Sequence, residues 1–389
     1  MAVTRLRRQP QGYGAFVPET LPPQPTVKFD QEMLRCLSDA DRNLGRLDGV
    51  ALTLPNPDLF LFMYVRKEAV LSSQIEGTQA SLIEVLEYEN NVQSAGNPQD
   101  IEEVINYVAA MNLGLQRLRT LPVSLRLIRE IHKRLMRGVR GQNKRPGEFR
   151  RSQNWIGPHG CNIQQASFVP PPPHEMAQAL DNLEKFIHSK DDIPILIRVG
   201  LVHAQFETIH PFLDGNGRIG RLLIPFMLSE AKILQWPSLY ISHYFKKYKS
   251  EYYSRLQNTR DRRDWEGWLK FFLRGISEVA VEGTQTATAI LRLREDIRKK
   301  LVKDLSRSAA GHAAVLLDAL YHRPVIDVQQ ASEIIGATYA TANTLVSRLT
   351  GIGVLSEITG GQRNRKFSFA SYLSLFADPP NHSSGETAT

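Results

Sequence analysis

Only two cysteines, Cys36 and Cys161, occur in 389 residues, too few and too far apart for a disulfide framework or a four-cysteine zinc site. A reducing compartment is the expected home. No apolar run reaches the ~18 residues needed to span a bilayer; the best candidates, Leu59 to Val65 and Leu222 to Leu228, are far shorter. The N-terminus, MAVTRLRRQPQGYG, is basic, but Pro and Gly stand where a secretory signal carries an apolar stretch of about 7–15 residues. We therefore expect a cytoplasmic protein with no membrane partner. Neither sign of charge dominates: 48 Lys+Arg against 40 Asp+Glu leave +8, which permits nucleotide or nucleic-acid partners without requiring them. With 42% hydrophobic and 23% charged residues, disordered and fibrous classes are excluded, and the length suggests roughly two or three domains.

What is present is mainly helical patterning. Residues 1–30 hold Pro18, Pro22, Pro23 and Pro25 and no sustained period, so an extended surface arm is expected. A helix follows from Gln31, and a second runs from Leu59 through Ser72 and Glu76 to a stop at Gly77. Between Asp100 and Met136, apolar residues recur every three or four positions, as in Ile101, Val104, Ile105, Val108 and then Leu125, Ile128, Ile131, Leu135. Residues 138–173 are rich in Gly, Asn and Pro and read as loop plus a short hairpin. Helices resume at Glu175 and continue, with breaks, to Ile290. The mixed charges of 291–308 suit an exposed linker helix. From 309 to 372 three helices precede two alternating runs around Gly360-Gly361, the pattern of a winged helix, and 373–389 reads as a mobile tail. The resulting division is 1–100, 101–290, 291–308, 309–372 and the tail.

The chemistry concentrates in His210-Pro211-Phe212-Leu213-Asp214-Gly215-Asn216-Gly217-Arg218-Ile219-Gly220-Arg221. Gly215, Gly217 and Gly220 satisfy GxGxxG, but Val199, Val202, Phe206 and Ile209 have helical spacing where a dinucleotide fold needs a strand. An EF-hand fails because Arg218 stands where a carboxylate or amide is wanted, and a Walker loop lacks its Gly-Lys-Ser/Thr. Helix, tight loop and helix remain. Gly215 and Gly217 let backbone N–H groups approach an anion at the start of the second helix. Arg218 and Arg221, three apart, share a face and suit phosphate oxygens. Asp214 is a hard ligand for Mg²⁺ on a polyphosphate, and His210 is a base with a near-neutral ordinary pKa. The set describes attack on a nucleotide phosphate.

HPFxDGNGRxxR resembles the signature of the Fic (Fido-domain) family, and KRPGEFR (144–150), NWIG (154–157), HAQFETIHPF (203–212), EYYSRL (251–256) and DWEGWLKFFL (264–273) extend the likeness over about 60–275. The resemblance implies a Fic/Fido helical core with a β-hairpin flap at 161–169, a C-terminal winged-helix domain, and AMP transfer from ATP to a hydroxyl of a target protein or of the chain itself, with Mg²⁺. It implies His210 as general base, Asp214 as metal ligand, and Asn216 with the Gly215 and Gly217 amides as phosphate cradle. Arg218 becomes a phosphate clamp and Arg221 the γ-phosphate holder. Tyr252 and Tyr253 stand where relatives place aromatics near adenine, although core packing is an equal use; Gln205 is a weaker contact. Relatives with kinase-like transfer carry Lys at the second loop glycine; Gly217 is retained here.

SSQIEG, Ser72 to Gly77, resembles the family's inhibitory helix, which implies that Glu76 occupies Arg221 and turns ATP aside, within one chain or across a homodimer. Two other functions are compatible with the sequence. The same site would serve removal of AMP, with Glu76 orienting water. A DNA-binding regulator would read bases with Thr338, Thr341, Asn343, Thr344 and Arg348, although the near-balanced charge of 309–369 is a thin footprint for that role. Lys144, Arg145, Arg150 and Arg151 read as solvated charge or as contacts to an acidic target.

Overall fold

The computed structural model describes residues 6–53, 57–90, 96–158, 160–361 and 364–377; the side chains of 57–61 and the tail from 378 lie outside what is described. The chain divides into two compact units, one of 1–53, 64–85 and 95–283 and the other of 54–63, 86–94 and 284–389. It is mainly helical, with two small sheets.

The first unit opens with a hairpin, β1 (Leu6–Arg8) and β2 (Gly14–Phe16), in place of a wholly extended arm. Gly12, at φ 88°, closes the turn, and Phe16 N–H donates to Val169 O at 2.9 Å. Helix α1 (Gln31–Thr53) buries Met33, Ala40, Leu44, Leu47 and Ala51. Helix α2 (Pro57–Ile75) ends at Gly77, whose φ of 105° suits glycine. Helix α3 (Leu82–Glu89) follows. Asn97 caps α4 (Pro98–Arg117), with Pro98 in the first turn, and Ser124 caps α5 (Leu125–Leu135).

The core is built on α7 (Ile195–Ile209) and α8 (Asn216–Glu230). Every residue of α7 from Leu196 onward is buried, the pattern of a helix covered on all sides. Helices α4, α5, α6 (Pro173–Ile187) and α10 (Lys249–Asp261) contact this pair. Gly114 of α4 lets the Phe226 ring come so close that a Cβ there would lie 2.2 Å from it. Buried side chains such as Phe206, Phe212 and Phe226 contribute about 1.5–3 kcal/mol each. Helix α9 (Ser242–Lys247) is short. Helix α11 runs unbroken from Trp265 to Asp304. Residues 291–304 are therefore its last turns, largely exposed but with Ile297 and Leu301 buried, and continuous with the helix before them.

In the second unit α12 (Arg307–Leu320), α13 (Val328–Ile335) and α14 (Tyr339–Gly351) accompany a sheet ordered β3 (Val325–Asp327), β5 (Lys366–Ser368), β4 (Ser356–Glu357). A capping box between Asp327 and Gln330 starts α13, Gly336 in the left-handed region ends it, and Thr338 caps α14. Leu316, Leu320, Ile326, Val346 and Phe367 form its core. A last helix, α15 (Ala370–Leu373), closes the unit, and a 3-10 turn at Ser374–Phe376 that buries Phe376 continues into the stretch expected to be tail. No helix among the described residues is long and apolar enough to cross a membrane.

Candidate active site

The motif loop is held from three sides. His210 ends α7 in the left-handed region (φ 49°, ψ 60°), a conformation that a non-glycine residue adopts only where its surroundings impose it. Arg150 supplies much of that constraint. It is 2% exposed and donates from Nε to His210 O at 3.0 Å, from Nη1 to Ser152 O at 3.2 Å, and from Nη2 to Pro171 O and Ile209 O. The expectation that Arg150 is solvated or meets an acidic target is thus overturned: four backbone carbonyls converge on one buried cation. Burial pulls its pKa down to about 10, still charged at neutral pH. We predict that Arg150→Ala orphans those carbonyls and lowers stability by about 3–5 kcal/mol, read as the midpoint of urea unfolding, with Arg150→Lys recovering only part.

Within the loop, Asn216 locks Phe212 in both directions, accepting from Phe212 N and donating to Phe212 O at 2.8 Å each. Its side chain therefore shapes the cradle from beneath. Gly215 caps α8 with φ 77° and no side-chain cap, which leaves the first N–H groups of the helix facing the loop. His132 braces the other side. Gly147 N–H donates to His132 Nδ1 at 2.8 Å, so Nε2 carries the proton and donates to Asp214 O at 3.0 Å. The ring lies 3.7 Å from Phe212 at an interplanar angle of 2°, and burial holds its pKa near 4. Sequence reasoning missed His132; the available signal was its place on the apolar face of α5, four residues after Ile128.

Both motif arginines are buried. Arg218 lies 3.4 Å from Glu103 and 3.8 Å from Asp214, and its Nε finds no partner among the described residues. Arg221, 1% exposed, donates from Nε to Ser72 Oγ at 2.8 Å and from Nη2 to Ser72 O at 3.0 Å and Glu76 Oε1 at 2.6 Å. Burial works to raise the Glu76 pKa, but Arg221 prevails and keeps the carboxylate ionised; Arg221 is raised in return. A Cβ on Gly217 would lie 2.2 Å from Glu76 Oε1, so this contact requires glycine there. Four and eight residues before Glu76, Ser72 and Glu68 continue the same face of α2. Glu68 accepts from Ser242 N at 3.0 Å and from Tyr107 at 3.1 Å, and burial pushes its pKa to about 7.

His210 is half-buried, with Nδ1 enclosed and unpartnered among the described residues. Burial, then the guanidinium groups of Arg260 and Arg150, hold its pKa at about 3, against a smaller upward pull from Glu76. The imidazole is neutral, as a base must be. Arg260, also missed in the sequence, sits 3.9 Å from the Phe168 ring and donates to Thr208 Oγ1 at 3.2 Å, tying the flap to α7. That flap is a single antiparallel bridge, Ile156 to Phe168, beside a 3-10 turn at Ile163–Gln165.

The expected adenine contacts are not assembled. Tyr252 is 1% exposed, bonded to His203 Nε2 at 2.9 Å and stacked on Phe245; core packing claims it. Gln205 donates to Glu19 O at 2.6 Å. Tyr253 alone stays exposed, within electrostatic reach of Glu76 and Arg221. Asp214, 40% exposed at its side chain, fits Mg²⁺ as one carboxylate. Among the described residues no group of three or more His, Cys, Asp or Glu forms a metal site, and phosphates and water usually complete this ion's shell.

Glu207, on α7, is buried with Oε1 unpartnered among the described residues. Burial raises its pKa to about 7, Arg221 and Arg260 oppose the rise, and Glu76 adds to it. The folded pKa exceeds the unfolded one, so this carboxyl leaves stability intact below about pH 4.5 and removes it as pH climbs toward 7. Glu207→Gln is expected to gain stability over wild type across that window, on the order of 1–3 kcal/mol, and none below it. Thermal melts at pH 4.5 and 7.5 check this.

The Fic/DOC family N-terminal model matches residues 34–116, and the Fic/DOC family model matches residues 122–228. A protein adenylyltransferase Fic from Aedes aegypti is 32% identical over 159 residues, 40% of this chain and 27% of that protein. One from Drosophila virilis is 27% identical over 219 residues, 54% and 40% respectively. The chain spans less than half the length of these curated relatives. The crystal structure of a Fic family protein from Desulfovibrio desulfuricans G20 covers 88% of this chain and 97% of its own at a TM-score of 0.56 and 17% identity, a likeness of fold.

Proposed function

The chain belongs to the Fic/DOC family, and from that premise we propose that it transfers AMP from ATP to a protein hydroxyl, in a form held back by its own Glu76. The observation that carries this reading is the juxtaposition of a neutral, buried-base His210 with an uncapped α8 N-terminus and two buried arginines on consecutive turns. With Nδ1 enclosed, Nε2 is the nitrogen that meets an incoming hydroxyl. It takes the proton as the hydroxyl oxygen bonds to the α-phosphorus, and the bond from that phosphorus to pyrophosphate breaks. Amides of Gly215 to Arg218 and the fork of Arg218 face the phosphate charge, so positioning and charge neutralisation do most of the work. Mg²⁺ at Asp214 would supply further neutralisation of the polyphosphate.

Glu76 on Arg221 supports the brake. An ion pair at 2.6 Å occupies the arginine that a γ-phosphate needs and adds like-charge repulsion beside it. In the second unit, the order of α12, β3, α13, α14 and the β5–β4 hairpin favours a winged helix, which we read as a module that recruits the target or contacts DNA. Incubating the protein and candidate targets with ATP labelled at the α or the γ position tests the reaction. Label retained from α and lost from γ is expected. Transfer of γ label overturns AMP transfer in favour of phosphorylation.

A further inference from the structure

Resting on that reading, a second ion-pair network in the first unit extends the nucleotide site. Glu103 of α4 is 2% exposed and stands between two arginines, with Oε2 3.4 Å from Arg218 and Oε1 3.4 Å from Arg140. A carboxylate buried this deeply is retained only with charged partners. One of these is the motif arginine; the other is 65% exposed at its side chain. The loop that carries Arg140 is built to reach this place. Gly138 and Gly141 both have positive φ, 73° and 87°, and a Cβ on Gly141 would lie 2.6 Å from Asp214 Oδ2 and 2.7 Å from Met136. The absence of that side chain brings the backbone next to Arg140 directly against the acid of the motif loop.

The charges do not close around Arg218 by themselves. Its Nε–H is buried without a partner among the described residues, and its two carboxylate contacts, at 3.4 and 3.8 Å, are longer than charge-assisted hydrogen bonds. An aimed but incompletely satisfied guanidinium is suited to an anion that arrives later. We infer that Glu103 is a positioning residue that aims Arg218 at the phosphate chain, and that Arg140, its second partner, is an additional cation for the triphosphate. A carboxylate shared in this way keeps two cations near one another that would otherwise separate. Neither residue carries a proton or a bond in the reaction.

The test uses the full chain in a Glu76→Gly background, with calorimetric binding of ATP and of adenosine, kcat and KM for AMP transfer, and thermal melts. Glu103→Gln is expected to weaken ATP about tenfold, the value of one charge-assisted contact, with the loss mainly in KM and adenosine affinity unchanged. Glu103→Asp recovers part of the loss. Arg140→Ala, on an exposed side chain, is expected to weaken ATP about threefold without moving the melting temperature. ATP affinity unchanged in the Glu103→Gln and Arg140→Ala variants overturns this inference alone, and so does an equal loss of ATP and adenosine. A Glu76→Gly parent that binds no ATP overturns the proposed function and this inference with it.

Discussion

Glu76→Gly is expected to raise AMP incorporation by one to two orders of magnitude, because each 1.4 kcal/mol of relief at the triphosphate changes the rate about tenfold. The carboxylate holds Arg221 at 2.6 Å, one-third exposed on its own side and paired to a guanidinium that is 1% exposed on the other. Deleting one partner of such a pair leaves a buried cation short of compensation. Ser72 still engages Nε and Nη2 of Arg221, so the fork keeps its orientation while its charge becomes available to a phosphate. Gly217 sharpens the argument. Its Cα faces Glu76 Oε1 so closely that no side chain fits between them, and removing the carboxylate empties the space directly above the loop. Glu76→Gln separates charge from bulk: it keeps the volume and loses the anion, so its gain is expected to lie between wild type and Glu76→Gly. Incorporation of α-labelled ATP, scored per molecule of protein, gives the order. Equal labelling by all three proteins rejects the brake.

The helix–loop–helix around the motif was legible because it is local. Spacing of Val199, Val202, Phe206 and Ile209 identified α7, the glycines identified the loop, and α8 begins at Asn216, where the loop chemistry pointed. Glu76 meets Arg221, the pairing the resemblance implies, and Ser72 joins it, a contact that the motif does not assign. What escaped is non-local. Arg150 looked like surface charge because nothing in KRPGEFR reveals that the carbonyls of His210, Pro171 and Ile209 converge on it. His132 lies on a helix face otherwise apolar, a pattern that marks a buried polar residue but not its partner, and Glu103, with Asp100 and Asn106 three residues to either side, carries no such mark. The motif leaves Tyr252 evenly between adenine and core and Gln205 as a weak contact, whereas His203 and the Glu19 carbonyl bond them in the structure; competing partners from distant segments cannot be read from a motif. The arm became a hairpin for the same reason, since the bond from Phe16 reaches Val169, far along the chain.

His210→Ala, in the Glu76→Gly background, is expected to lower transfer about 10²–10⁴-fold while leaving ATP affinity nearly intact, the ordinary range for a general base. The residue sits at the end of α7 with its carbonyl, not its ring, bound to Arg150, so truncation of the ring leaves the loop pinned. The pH profile gives an independent check. With burial, Arg260 and Arg150 all opposing the imidazolium, His210 is neutral down to about pH 3, and kcat/KM, which reports the free enzyme, keeps this base competent well below the usual histidine range. A triphosphate beside the ring favours the imidazolium and raises the pKa in the complex, so the acid limb of kcat lies at higher pH than that of kcat/KM. Loss of Glu76, which also favours the imidazolium, shifts the free-enzyme limb further toward acid and widens the separation. A His210→Ala protein that retains full transfer rejects His210 as the base and requires the proton to leave by another group, whereas acid limbs of kcat and kcat/KM that coincide near pH 6.5 reject only the lowering of its pKa by burial and the two arginines.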